Sequence, residues 1–496
     1  MSATANIDIK APSARFPYVP ANASTIMAAG VAGVAFDVAA RAGIVVVAGA
    51  LAIVVAVAGL VLSRDVRRGQ ALAPLGAAVA LGSFLALRQS PWILAPSIMA
   101  VTALLLVGAS MARGGDLFDL RPGESIARVG HGAWRMLSAP GFLASARSRV
   151  EVTGGGHGRG GAIARGMLLA APLVLVLGVL LASGDALFSS AVSVDVAFGS
   201  LPSHLIDIGI GLWGFGGLAA LASSTTPSLD VPRVRLGAIE VLIVLASLVA
   251  LFAVFVAVQL VAIAGGGQKV LETAGLTYAE YARTGFFQLL AAVAITIGSL
   301  LALRPSIADA RSARSMLRSL GLAVVGLTLV IVMIALSRLG LYADAYGLTM
   351  LRLASTTFAW FAAGVLVLVG IAFAGVWPRR AWLTGACGTL AVVTLFVWGA
   401  IDPEAIVVRV NLAHADEAEL DVRYLAGLTT DGIAPLVRGL DRLDPTERLR
   451  MLEALPCGRF DRSRHGWASW NASRERGLDA LRSVCAPTTE PAASSG

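Results

Sequence analysis

Ionisable and aromatic side chains gather at the ends of apolar segments, outside any familiar catalytic motif. The densest stretch is Leu276-Thr-Tyr-Ala-Glu-Tyr-Ala-Arg-Thr-Gly-Phe-Phe-Gln-Leu-Leu290. Thr277 followed by Glu280 is a capping box, so a helix should begin there and run into the next apolar segment. Tyr278 and Tyr281 are three apart and share a face, and Glu280 and Arg283 are spaced to pair. The next such turn reads Arg338-Leu-Gly-Leu-Tyr-Ala-Asp-Ala-Tyr-Gly-Leu-Thr-Met-Leu-Arg352. Arg352 lies about one turn inside the following apolar run. A charge there should face other helices and take a partner, with Asp344 and Glu280 the candidates. Asp185 closes Ser183-Gly-Asp-Ala-Leu-Phe188, Gln259 lies deep in another run, and His204 and Asp207 sit three apart near the end of a third. The chemistry this set offers is binding, in an outward-facing cavity for a polar or anionic ligand. The plainer reading makes the tyrosines interface anchors and the carboxylates partners of arginines that fix helix packing.

Support for catalysis is thin, and no catalytic residue is assigned. The five histidines form no HExxH pair and no Cys/His cluster, so no metal site is expected. There is no G-x-S-x-G elbow and no Walker motif. Gly154–Gly161 contains a formal G-x-G-x-x-G, but no strand precedes it, and it reads as a flexible linker. No cofactor is expected. An alternative class is a membrane-embedded transferase acting on lipid-linked substrates, with Asp185 or Glu280 as base. It needs a carboxylate near a bound acceptor, beside a groove open to lipid. A transporter needs a path through the bundle and often a broken helix, which Gly211, Gly214, Gly216 and Gly217 permit. A third reading is an envelope sensor or assembly partner acting through the C-terminal tail.

The elements that position these residues are membrane spans. Of 496 residues, 57% are hydrophobic and only 14% charged, with mean hydropathy +0.78. Soluble domains carry about 25% charged residues, so disorder and an ordinary soluble enzyme are excluded together. A span needs about 20 apolar residues. Ten runs qualify, at 42–62, 71–87, 92–112, 166–186, 204–222, 238–264, 285–303, 319–337, 348–376 and 382–401. Ser24–Phe36, closed by Asp37 and Arg41, is an eleventh span or an interfacial segment. The fold class is therefore all-α: a polytopic bundle of 10–11 spans with a small helical extracytoplasmic C-terminal domain. Residues 1–112 hold the N-terminal tail and the first three or four helices. Residues 113–165 form a basic cytoplasmic loop, 166–401 a seven-helix core, and 402–496 the external domain. The first 23 residues do not read as a secretory signal.

Charge sets the orientation. The connections 63–70, 113–165, 223–236, 304–318 and 377–381 hold 19 Lys and Arg, and the alternate ones hold 4. Short cytoplasmic loops are the basic ones, so the first set faces the cytoplasm of an inner membrane and the tail lies outside. The tail carries 12 basic and 15 acidic residues, which leaves the chain's excess of positive charge on the membrane part. The net +8 is then an orientation signal and a contact with anionic lipid head groups. It is not a footprint for nucleic acid. The expected partners are the bilayer and another envelope protein.

The tail reads as folded. Asp444-Pro445 starts a helix as cap and first-turn proline, and Leu449, Leu452 and Leu455 follow at helical spacing. Cys457 and Cys485 both lie in it, and in an oxidising compartment they should form a disulfide.

These segments resemble a bacterial multi-pass membrane family, domain of unknown function 4173, with its relative 4153. The resemblance is carried by Arg165-Gly-Met-Leu-Leu-Ala-Ala-Pro172 with Ser183–Phe188, by Leu251–Gln259, by Thr277–Phe287, by Arg338–Thr349 and by Leu420–Asp431. Ala262-Ile-Ala-Gly265 departs from it, since the family tends to have bulkier aromatic residues there. The resemblance implies the membrane architecture and a tail that belongs to the module. It implies no activity and no catalytic residues.

Overall fold

The computed structural model describes residues 21–62, 71–112, 130, 132, 136–144, 201–223, 236–264, 286–309, 313–375, 382–415, 420–458 and 466–485. Among them there is no strand. The helices are α1 (Ala23–Ala42), α2 (Val47–Leu62), α3 (Leu72–Gly82), α4 (Phe84–Leu87), α5 (Pro91–Ser110), α6 (Ala139–Ala144), α7 (Leu201–Ala222), α8 (Ala238–Ala264), α9 (Phe286–Asp309), α10 (Arg314–Tyr346), α11 (Met350–Ala374) and α12 (Trp382–Ile401). The tail adds α13 (Pro403–Ala413), α14 (Val422–Ala426), α15 (Thr430–Gly439), α16 (Pro445–Ala454) and α17 (Ala472–Val484). The chain is an α-helical polytopic bundle.

Seven of these helices are long and apolar enough to cross a membrane: α1, α5, α7, α8, α10, α11 and α12. Three shorter apolar stretches, Val47–Leu62, Leu72–Leu87 and Gln288–Arg304, occupy further expected runs. The second is interrupted at Ser83, between α3 and α4. Ser24–Phe36 belongs to a full 20-residue helix, because the helix continues through Asp37 and Arg41 to Ala42. The run 166–186 lies outside the described residues.

Local chemistry fixes the helix ends. Asn22 caps α1 by accepting from the Thr25 amide at 2.9 Å. Thr349 caps α11, and Gly375, in the left-handed region, ends it. Asp444 accepts from the Thr446 and Glu447 amides at 2.7 and 2.9 Å, with Pro445 in the first turn of α16. Of the three leucines at helical spacing, Leu455, just past the end of α16, is buried and Leu452 packs against the core, while Leu449 is 62% exposed; Met451 completes the buried side.

The tail is packed directly onto the span ends. One apolar cluster runs without a break from Leu81, Phe84, Ile93 and Trp398 to Val407, Ile433, Leu436, Met451 and Leu481. The turns at 43–46, 88–90 and 347–349 all touch the tail. The helix ends that flank the basic connections lie on the opposite side.

Candidate functional site

The most elaborate polar site lies where the tail meets the spans, and it is centred on Arg88. Helix α12 ends with unpaired carbonyls, as every helix does. Arg88 takes two of them, donating from Nε to Gly399 O at 2.9 Å and from Nη2 to Ala400 O at 3.0 Å. Its Nη1 donates to Asp402 Oδ2 and lies 3.6 Å from Asp431 Oδ1. Asp402 then opens α13: it accepts from the Ala405 amide at 3.3 Å, and Pro403 follows in the first turn. Its φ of 58° makes it the one non-glycine in the left-handed region among the described residues. Such a conformation costs about 1–3 kcal/mol and persists where its surroundings fix it. Here the arginine and the cap do so.

The other two carboxylates are more deeply buried. Asp431 Oδ2 accepts from the Gln89 and Ser90 amides at 2.7 and 2.8 Å, so a tail residue caps the start of α5. Its Oδ1 accepts no hydrogen bond. Glu404 is 1% exposed, and its Oε2 accepts from the Thr429 amide and hydroxyl at 2.9 and 2.8 Å. Burial pushes the Glu404 carboxyl above its ordinary value, against the opposing pull of its Thr429 hydrogen bonds. Burial also raises Asp402, Asp431 raises it further, and Arg88 pulls it back. Two carboxylates, Asp402 and Asp431, thus share one guanidinium, and Glu404 lies buried beside them on Thr429.

Amides complete the joint. Buried Asn471 donates to Leu85 O at 3.0 Å and Arg88 O at 3.1 Å while capping α17 at the Arg474 amide, 3.1 Å away. Trp470 O accepts from the Val47 amide at 2.9 Å. Asn411 pairs with both backbone groups of Leu348, at 3.1 and 2.7 Å, and the Tyr424 hydroxyl accepts from the Met350 amide at 2.7 Å. Burial pushes the Tyr424 phenol up. The tail therefore holds the α1–α2, α4–α5 and α10–α11 turns as well as the end of α12.

Of the residues singled out from sequence, Asp185, Tyr278, Glu280, Tyr281 and Arg283 lie outside the described residues. Arg352 and Asp344 are not brought together. Arg352 donates to the Tyr346 carbonyl at 3.0 Å and to that of Gly347, and its guanidinium sits 4.0 Å over the Tyr342 ring. It serves the C-terminal end of α10, where cations are favoured, and Asp344 is exposed. Cys457 and Cys485 are disulfide-bonded, with their Cα atoms 5.8 Å apart. Gln259 accepts from Arg338 at 3.0 Å, joining α8 to α10.

His204 and Asp207 belong to a second polar group, between α1 and α7. Asp37 accepts from Arg41 at 2.9 Å and lies 2.8 Å from His204 Nδ1. Arg41 also reaches Ser203 at 2.8 Å and Asp207 at 3.8 Å. The two helices touch backbone to backbone. A Cβ on Gly211 would stand 2.8 Å from the Gly33 Cα, the small-residue contact common between membrane helices. Among the described residues, no group of three or more His, Cys, Asp or Glu is placed to hold a metal ion.

The family model described as Domain of unknown function (DUF4153) matches residues 75–439. The chain belongs to that family. In this DUF4153 chain the matched region runs from α3 to the end of α15, so it includes Arg88, Asp402, Glu404 and Asp431 and stops before Asn471 and the disulfide. The carboxylate–arginine joint thus lies inside the matched region, and α17, beyond it, packs on α15 and α4. No curated protein and no solved structure matches the chain.

Sequence reasoning missed this joint. Arg88 counted only as the single basic residue of a short turn, and Asp431 only as the end of a tail motif. The available signal was Asp402-Pro403, the same cap-and-proline pair as Asp444-Pro445, directly after the last span.

Proposed function

We propose that this DUF4153 protein is a non-enzymatic protein of the bacterial cytoplasmic membrane. Its tail lies outside. It binds a ligand in the bundle and presents that state to an envelope partner through the tail. The observation that carries the reading is Arg88. One side chain from the α4–α5 turn contacts the last carbonyls of α12, the first residue of the α12–α13 elbow and, in Asp431, the tail. A displacement of these span ends must then move the tail, and the reverse. The orientation is supported by charge, since the Lys- and Arg-rich connections join the helix ends away from the tail. Translocation of a polar or anionic ligand is the transport form of the same reading.

A lipid-linked transferase is favoured by one observation, an apolar groove between α5, α11 and α12. Against it, no carboxylate among the described residues lines that groove, and a general base must come within hydrogen-bond reach of its proton.

Hydrogen exchange on the full chain in lipid nanodiscs tests the coupling. In Arg88→Met, amides of 88–94, 399–405 and 429–434 should all exchange faster. Acceleration confined to 88–94, with the tail unchanged, would contradict it.

A further inference from the structure

We infer that the groove between α5, α11 and α12 seats a hydrocarbon chain of a membrane phospholipid in the tail-side leaflet. It goes beyond the ligand-binding reading above and gives the spans an apolar occupant distinct from the polar or anionic ligand proposed there.

The groove is written into α5 by a proline. Pro96 lies inside the helix and has no N–H, so the carbonyl four residues before it, that of Trp92, loses its helical partner. In a bilayer an unpaired carbonyl costs several kcal/mol. The Trp398 indole supplies the missing donor from α12, with Nε1 3.1 Å from Trp92 O. That bond fixes Trp398, which is 5% exposed, as one wall. Phe358 and Phe361 on α11, their centroids 6.2 Å apart, form another. The space between is about 570 Å³, within the roughly 300–1,000 Å³ of ligand sites.

Position and chemistry identify the occupant. On α11 the lining extends from Ala354 to Phe361, about 10 Å of helix at about 1.5 Å per residue. It begins near the tail-side end of the span, so it occupies roughly the first third of a hydrocarbon core about 30 Å thick. The mouth is open: Trp92 is 41% and Phe358 47% exposed. Among the described residues no charged side chain lines the groove; its two hydroxyls are that of Thr357, turned back to Leu353 O at 3.0 Å, and that of Thr394. Water there would lack the two to four polar partners it needs. The surrounding solvent at that depth is phospholipid, whose chain matches an apolar slot running along the spans.

The test uses the full chain in vesicles of phosphatidylethanolamine and phosphatidylglycerol doped with a phospholipid carrying a diazirine on its acyl chain. Photolabelling of 92–96, 354–361 and 391–398 should exceed several-fold that of Val254 and Val261, exposed residues on α8 in the tail-side half of its span. Ala95→Phe and, separately, Ala391→Phe should fill the slot and bring labelling down to the α8 level. Equal labelling of groove and α8, labelling unchanged in both variants, or preferential labelling by a diazirine polyprenol would each overturn the assignment. Loss of labelling with tail exchange unchanged would support the lipid seat while contradicting the coupling proposed above.

Discussion

Arg88 and Asp402, separated by 314 positions in the chain, form an ion pair at the end of the last span. The pair is mostly buried, with side chains 10% and 16% exposed. Arg88 also carries the terminal carbonyls of α12, so it joins backbone and charge in one contact. Removing one partner of such a pair leaves an uncompensated charge, which costs about 3–5 kcal/mol. Arg88→Met should lower the denaturation midpoint of the solubilised protein accordingly. Arg88→Lys should recover only part of the loss, because an ammonium cannot reproduce the planar fork that reaches two carbonyls and a carboxylate at once.

Acidity should stabilise the tail around Glu404, which pairs with no arginine among the described residues. Its carboxyl is raised in the folded state, chiefly by burial. A carboxyl raised on folding binds more protons folded than unfolded, so stability falls as pH rises. The fall begins near the ordinary carboxylate value of about 4 and ends above the raised folded value. The unfolding midpoint of the tail should therefore be higher in mild acid than at neutral pH, and Glu404→Gln should flatten part of that slope. A midpoint that rises through the same window would count against this.

The Trp398 indole bond can be tested alone. Trp398→Phe keeps an aromatic ring, though a smaller one, and removes the N–H, so the Trp92 carbonyl loses its donor. The expected cost is about 1–3 kcal/mol, read as a lower midpoint, with insertion unchanged. Restoring a backbone donor with Pro96→Ala should recover much of it in the double variant.

The disulfide closes a separation of 28 residues around α17. A cross-link of that span contributes about 3–4 kcal/mol in the chain-entropy view. Reduction, or Cys457→Ser with Cys485→Ser, should release α17 first and raise protease cleavage near 466–485. The spans should be unaffected.

Legibility in the sequence followed the physics of each level. The spans were readable because hydrophobic transfer imposes length and composition on every one of them, and the cap at Asp444 follows a local rule. The α1 helix shows where composition runs short. By composition Asp37 and Arg41 close the apolar run, yet they are held by His204, Ser203 and Asp207 of α7, more than 160 residues away. Arg352 shows the converse: its charge pointed toward a carboxylate, and it took backbone carbonyls and a tyrosine ring. The Arg88 joint was unreadable because each member follows an ordinary local pattern, and only tertiary packing brings the turn, the elbow and the tail together. The Pro96–Trp398 relationship was unreadable for the same reason, since a carbonyl freed by proline does not announce its donor.

The most direct measurement is a double-mutant cycle on Arg88→Met and Asp402→Asn, followed by denaturant unfolding of the full chain in nanodiscs with hydrogen exchange at 429–434 as readout. Residues that share one buried network couple by roughly 0.5–3 kcal/mol. A joint that fixes the tail to the spans should give a coupling of at least about 1 kcal/mol, with both single variants loosening the tail. Additivity within about 0.5 kcal/mol, or a tail whose exchange ignores both substitutions, would contradict it.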